Sequence, residues 1–292
     1  MKRLLLLIIG IWLLSIAGSA QITALDGPEN GGGMSLSPAR FELEMKPGTE
    51  TTVVVSLDYR ALGSSRQAVR IVASLNDWNI TRDGRVEYYR ANSRPNSASP
   101  WLIYSPGEAA VTPGTVHQIR VTISVPPNAR PGDHLTALII EQRPENIKFD
   151  QNVRQMIVRY RMASVFYIKV GALTRQGGFD NLLAESTPDG IVVTPTLTNA
   201  GNSVIRPISS VKVLDVEGKV VADLAEIEQL PILAGSGSNR GVLIAKTLPP
   251  GAYTVKYRID FQDGGKSTEG ITDLVVKTVT QIASSGTAPK KP

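Results

Sequence analysis

Short segments in which apolar and polar residues alternate make up most of this chain, from about residue 34 to about residue 280. They are rich in Val, Ile, Thr and Tyr, and turns such as Lys46-Pro47-Gly48 and Asp263-Gly264-Gly265 separate them. A period of two places alternate side chains on opposite faces of a strand, and no 12-residue window has the apolar period of a helix. The pattern therefore predicts an all-β protein built from β-sandwiches.

Each half of the chain has its own series of predicted strands. In the first half they cover residues 51–57, 68–75, 118–125, 135–142 and 155–170, and in the second half 190–197, 211–216, 240–247, 253–261 and 271–279. A Pro-Gly turn precedes a late strand in both halves, at Pro131-Gly132 and Pro250-Gly251. We therefore predict two tandem immunoglobulin-like β-sandwich domains, at residues 34–172 and 173–280, joined near residues 173–180.

The amino terminus has the three parts of a secretory signal peptide. A charged start at Lys2 and Arg3 is followed by an apolar run over residues 4–16 and by small residues over 18–20. An uncleaved membrane anchor is the alternative, but the run is shorter than the roughly 18 to 20 residues that span a bilayer. We predict a signal peptide at residues 1–20, and hence export and no membrane insertion after cleavage.

The segments that flank the predicted domains lack a regular apolar pattern. Residues 21–33 end in three glycines and are predicted to be a flexible leader, and residues 281–292 are predicted to be a disordered tail. The formal charge is +5 for the whole chain, and it falls to +3 without Lys2 and Arg3, because no acidic residue lies among the first twenty. With 5% aromatic residues, this composition argues against nucleic-acid binding.

The side chains that carry most enzyme chemistry are scarce. The chain has no cysteine and two histidines, His117 and His134, which do not have metal-ligand spacing. Asp260, Asp263 and Glu269 supply oxygen atoms near one turn, but they lack the regular spacing of a calcium loop, so a hairpin turn is favoured. We predict no catalytic residue, no cofactor and no metal.

Several motifs of the first predicted domain resemble those of one known family. They are Ser37-Pro38-Ala39-Arg40-Phe41, Lys46-Pro47-Gly48-Thr49-Glu50, Pro100-Trp101-Leu102-Ile103-Tyr104-Ser105-Pro106-Gly107-Glu108 and Val125-Pro126-Pro127 ahead of Pro131-Gly132. Over about residues 34–172 the sequence resembles the N-terminal domain of PapD-like periplasmic pilus chaperones, as a divergent member. The resemblance implies a second immunoglobulin-like domain, which the strand pattern also predicts.

The resemblance also implies a mechanism. Such a chaperone lends an edge strand to a subunit that lacks one, and here that strand is the segment 155–170. Along it Met156, Val158, Tyr160 and Met162 would form one face and enter the groove of the subunit. The residues that alternate with them are Gln155, Ile157, Arg159 and Arg161. An ordinary sandwich strand with one buried face is the alternative for the same pattern.

The family holds the carboxylate of the subunit's C-terminus with an Arg and a Lys. By its place in the segment SPARFELEM, Arg40 matches the Arg, and a guanidinium can make two parallel bonds to a carboxylate. When Phe166-Tyr167 is aligned with the family's aromatic pair, Ser164 stands at the Lys position, so Arg161 or Lys169 would replace that Lys. A solvent-facing strand residue is the alternative for Arg40.

These observations predict an exported, periplasmic, chaperone-like protein without catalytic activity. It would bind pilin-like or other exported subunits and stabilise them by donating an edge strand, without ATP. The alternative is a structural or adhesion protein of the periplasm or the cell surface, in which the same edge is capped internally.

Overall fold

The computed structural model describes residues 33–61, 66–143 and 159–277 of the chain. These residues form eighteen strands and one short 3-10 helix at Ser99–Trp101, arranged as two β-sandwiches in tandem, so the predicted fold class is confirmed. The predicted signal peptide, the predicted tail and all but the last residue of the predicted leader lie outside the described residues. That last residue, Gly33, begins the first strand.

The first sandwich contains ten strands in two sheets. They are β1 (Gly33–Ser37), β2 (Arg40–Met45), β3 (Glu50–Arg60), β4 (Val69–Ile80), β5 (Val86–Arg90), β6 (Leu102–Ser105), β7 (Glu108–Val111), β8 (Val116–Ser124), β9 (Gly132–Arg143) and β10 (Arg161–Val170). One sheet has the order β1-β3-β8-β6, and the other has the order β2-β10-β9-β4-β5 with β7 also paired to β4. Side chains of both sheets, including Leu57, Ile119, Leu138 and Phe166, meet in one buried core.

The chain changes sheets between β1 and β2. β1 pairs with β3, whereas β2 lies parallel to β10 in the opposite sheet. The change occurs at Pro38, which has no N–H to contribute to a strand ladder. As a result, the first residues of the sandwich contribute an edge strand to each sheet.

The second sandwich contains eight strands. They are β11 (Gly177–Thr187), β12 (Gly190–Asn199), β13 (Ile208–Leu214), β14 (Val220–Glu228), β15 (Gly237–Ser238), β16 (Val242–Ile244), β17 (Gly251–Asp260) and β18 (Thr268–Val276). One sheet has the order β11-β12-β15, with β16 also on β12, and the other has the order β14-β13-β17-β18. Tyr257 is fully buried in the core and stacks on Phe179. Residues 171–176 connect the last strand of the first sandwich to β11.

The two sandwiches pack against each other through a third apolar cluster. Its members from the first sandwich lie on the outer face of the β9 sheet and include Trp78, Leu135 and Tyr167, while Val204 and Leu233 come from the second sandwich. Because these residues project from the face of the sheet, the second sandwich covers part of that face, and the two units are not joined only end to end.

The turn between β4 and β5 adds a contact between the sandwiches. Gly84 has φ of +90° there, and a Cβ atom on it would lie 2.8 Å from Leu230 of the second sandwich. The backbone N–H of Asn239 donates to the carbonyl oxygen of Arg82 at 2.8 Å. The turn at Arg82-Asp83-Gly84 therefore touches the second sandwich.

Candidate functional site

β10 is paired along its whole length on one side but only in part on the other. β9 pairs with all of Arg161–Val170, whereas β2 pairs only with the second part, from Val165 to Val170. Within the described residues no strand lies beside Arg161–Ser164 on the β2 side. Among the described residues the first part of β10 is therefore a sheet edge, and we call Arg161–Ser164 the open edge.

The direction of the backbone groups shows which residues can pair there. Val165 donates its N–H to the carbonyl oxygen of Ala39 at 2.9 Å, so its backbone groups point toward β2. Successive residues of a strand point their N–H and C=O groups to alternate sides. Ala163 and Arg161 therefore direct theirs to the open edge, where an incoming strand can bond to them.

The side chains of β10 alternate between the core of the first sandwich and the outer face of its sheet. Met162 packs against the core, in line with the fully buried Phe166, whereas Ala163 and Val165 pack against the cluster between the sandwiches. Tyr160 precedes β10, and its carbonyl oxygen accepts a hydrogen bond from the N–H of Gln142 at 2.9 Å. Two other predicted contact residues, Met156 and Val158, lie outside the described residues.

A group of charged residues lies just beyond the open edge, and we call Arg40, Glu42, Lys169 and Arg206 the Glu42 cluster. Lys169 Nζ is 2.8 Å from Glu42 Oε2, while Arg206 Nη2 and Arg40 Nε are 2.6 Å and 3.2 Å from Glu42 Oε1. Three cations thus meet at one carboxylate. Burial raises the pKa of Glu42, but the Lys169 hydrogen bond and the charges of Arg206, Lys169 and Arg40 outweigh it, so the pKa is lowered overall.

The members of the cluster differ in exposure. The side chain of Lys169 is 9% exposed and that of Arg40 is 52% exposed. Arg206 comes from the second sandwich and also lies over the ring of Tyr167, with 5.4 Å between its Cζ and the ring centroid. The cluster therefore links the two sandwiches and borders a cavity of about 190 Å³ between them.

The sequence identified two members of the cluster and missed two. Arg40 and Lys169 lie in it, while Arg161 lies at the far end of the open edge. Ser164 is fully buried, and its hydroxyl donates to the carbonyl oxygen of Pro38 at 2.8 Å. Alternation in SPARFELEM places Glu42 on the same face as Arg40, which was an available signal, whereas nothing in the sequence ties Arg206 to them.

Acidic residues near the hairpin between β17 and β18 accept hydrogen bonds from backbone N–H groups. Asp263 accepts the N–H of Gly265 at 2.9 Å and that of Gly177 at 3.1 Å, and Asp260 accepts the N–H of Gln262 at 2.8 Å. This agrees with the favoured hairpin reading. Across residues 33–61, 66–143 and 159–277, no group of three or more His, Cys, Asp or Glu residues is placed to hold a metal ion. In those same ranges no helix has the length and apolarity needed to span a membrane.

Comparison with protein-family models finds no match, and comparison with curated proteins finds none. Solved structures with a similar fold include fimbrial chaperones. The chaperone-tip adhesin complex of CFA/I fimbriae is 11% identical with a TM-score of 0.43, over 83% of this chain and 99% of that one. The CsuC-CsuE complex of Acinetobacter baumannii is 14% identical with a TM-score of 0.40, over 83% and 98%. The CupB2 chaperone of Pseudomonas aeruginosa is 14% identical with a TM-score of 0.37, over 83% and 100%.

Proposed function

We propose that this chain is an exported, non-catalytic, chaperone-like protein of the periplasm. It binds other exported protein subunits by pairing a strand of the subunit with the open edge of β10. The observation that carries the proposal is the half-paired state of β10, which leaves the backbone groups of Arg161 and Ala163 without a neighbouring strand in the described residues.

The position of β2 supports this mode of binding. β2 pairs with the second half of β10 and begins at Arg40, opposite Val165. A subunit strand paired with Arg161–Ser164 would lie beside the first half of β10, in line with β2. If it runs parallel to β10, as β2 does, its carboxyl end points toward Arg40. Backbone pairing of this kind gives affinity with little dependence on side-chain identity, which suits a protein that serves several subunits.

Arg40 is the residue that we propose to meet the carboxyl end of the subunit. Replacing Arg40 with alanine is expected to weaken subunit binding about tenfold or more, because a guanidinium-carboxylate contact is lost as the bound strand excludes water. The free energy of unfolding is expected to change by less than about 1 kcal/mol, because the existing pair with Glu42 is half exposed. Titration with the purified subunit and urea unfolding measure the two effects. Unchanged affinity would contradict the role of Arg40.

The direct test of the function is to recover partners from the native host. The protein is tagged at its C-terminus, isolated from the cell envelope, and its partners are identified by mass spectrometry. We expect a small, exported, β-rich subunit in stoichiometric amount, and we expect that subunit to be lost when Val158 and Tyr160 are both replaced with aspartate. Recovery of the protein alone, or with surface polymer, would contradict the proposal and favour the structural or adhesion role.

A further inference from the structure

We infer that Glu42 is an internal competitor for the carboxylate of the bound subunit, so that the cations of the Glu42 cluster accept an external carboxylate only when Glu42 is displaced. This inference rests on the proposed function, because it specifies which carboxylates the site selects. It is carried by the contacts of Glu42 itself, which already occupies all three cations.

The geometry leaves little room for a second anion while Glu42 is in place. Lys169 is 9% exposed and bonds to Glu42 Oε2, so its ammonium group is closed to most of the solvent. Arg206 and Arg40 both contact the other oxygen, Oε1. Glu42 therefore uses both carboxylate oxygens on these cations, as the carboxylate of an external ligand would.

The formal charge around Lys169 also depends on Glu42. Lys169 stands opposite Glu44 of β2 and opposite Asp133 of β9 in the strand register. Asp133 is 5% exposed, its Oδ2 accepts the N–H of Val204 at 2.7 Å, and its Oδ1 has no hydrogen-bond partner among the described residues. The groups of this region are the cations Arg40, Lys169, Arg175 and Arg206 and the anions Glu42, Glu44 and Asp133, so the formal charge is +1. Neutralising Glu42 raises it to +2.

Competition from Glu42 makes carboxylate binding depend on whether the ligand is also bound at the open edge. Glu42 is held on the same strand as Arg40, so its effective concentration at the cations far exceeds that of a free small carboxylate in solution. A subunit strand paired with the open edge gains the same advantage, because its own carboxyl end is held beside Arg40. The site therefore discriminates against free small carboxylates and favours the C-terminal carboxylate of an extended, edge-bound polypeptide.

The first test uses acetate as the probe. Wild-type protein, Glu42→Gln and the control Glu44→Gln are titrated with acetate while the Nε–H signals of the arginines are followed by NMR. We expect Glu42→Gln to bind acetate at least about tenfold more tightly than the other two proteins. Glu44→Gln is the matched control because Glu44 lies on the same strand and face but has no ion pair among the described residues. Equal acetate affinity in all three proteins, or equal gains in both variants, would overturn the inference.

A second variant that is neutral at residue 42 controls for a folding defect in Glu42→Gln. Glu42→Thr keeps a residue with good strand propensity, and circular dichroism and thermal unfolding establish which variants are folded. We expect any folded variant that is neutral at residue 42 to show the gain in acetate affinity. A folded Glu42→Thr protein without the gain would count against Glu42 as the competitor.

A second probe separates this inference from the proposed function. A soluble 12-residue peptide that alternates valine with threonine and lysine is prepared as the free acid and as the C-terminal amide. We expect the free acid to bind more tightly than the amide both to wild type and to Glu42→Gln, with the larger difference in Glu42→Gln, and we expect the amide to bind the two proteins equally. If neither peptide binds any variant, the open-edge proposal fails, and the acetate result still decides the role of Glu42.

Discussion

Replacing Ala163 with proline is expected to abolish subunit capture while leaving both sandwiches folded. The N–H of Ala163 points to the open edge, where a subunit strand would accept it, and proline has no N–H. The ladder with β9 is spared, because Met162 and Ser164 supply the bonds on that side. Proline is tolerated in edge strands when its position faces away from the ladder. We expect affinity for the subunit to fall by about a hundredfold, since both a hydrogen bond and the fit of the incoming backbone are lost.

Quantitative mass spectrometry of the co-purified subunit, relative to the tagged protein, measures this loss. The matched control is Ala163→Ser, which keeps the N–H and a small side chain and is expected to retain capture. Urea unfolding of both variants checks that the first sandwich is intact. If a folded Ala163→Pro protein still recovers the subunit at the wild-type ratio, the open edge is not the binding surface.

Replacing Asp77 with alanine is expected to destabilise the first sandwich by about 3 kcal/mol. Asp77 is 1% exposed and accepts four hydrogen bonds: from the N–H groups of Ser93 and Arg94 at 2.8 Å and 2.9 Å, and from the hydroxyls of Ser97 and Ser99, both at 2.6 Å. Its loss removes the acceptor of all four donors, of which Ser99 is buried, and an unsatisfied buried donor costs about 1 to 3 kcal/mol before the loop relaxes. Urea unfolding measures the change. Asp77→Asn, which keeps one acceptor oxygen, is expected to lie between alanine and wild type, and a change below about 1 kcal/mol for alanine would contradict the argument.

Asp77 also gives the first sandwich a predictable response to acid. Burial raises its pKa, but the bonds from Ser97 and Ser99 and from the N–H groups of Ser93 and Arg94 outweigh it, so the pKa lies below the ordinary value. A carboxyl with a lowered folded pKa contributes stability above its unfolded pKa of about 3.9, and that contribution is lost as the pH falls through the folded pKa. Unfolding free energies measured from pH 6 to pH 2 should therefore fall less steeply in Asp77→Ala than in wild type. Equal slopes would show that Asp77 does not carry this dependence.

The strands that the sequence located well alternate regularly between core-facing and outward-facing residues. The predicted segment 190–197 corresponds to β12, and 253–261 corresponds to β17. In such strands apolar residues that face the core alternate with polar residues that face outward, and the sequence shows this pattern directly. β11 and β14 were missed. They are the outer strands of their sheets, and β11 carries glycine, aspartate and asparagine, which weaken the strand pattern in the sequence.

The candidate site was predicted only in part, for a different reason. Arg40 and Lys169 could be named from the sequence, since each lies in a strand segment that resembles a known family. Glu42 could be placed on the face of Arg40, but its role could not be inferred from spacing. Arg206 lies 164 residues from Glu42 in the chain, so only the packing of the second sandwich against the first brings the two together.

The amino-acid sequence by itself determined that the chain forms two all-β sandwiches without disulfides. The alternation of apolar and polar residues and the turn residues act over a few positions, so their effect does not depend on how the strands are arranged. Only the tertiary structure decided where the sheet stays open. β2 pairs with β10 from Val165 onward because the chain changes sheets at Pro38, and that leaves Arg161–Ser164 as an edge in the part of the chain that the structure describes. The same holds for the Glu42 cluster, since ion pairs form between side chains that folding brings within about 4 Å, at whatever distance they stand in the sequence.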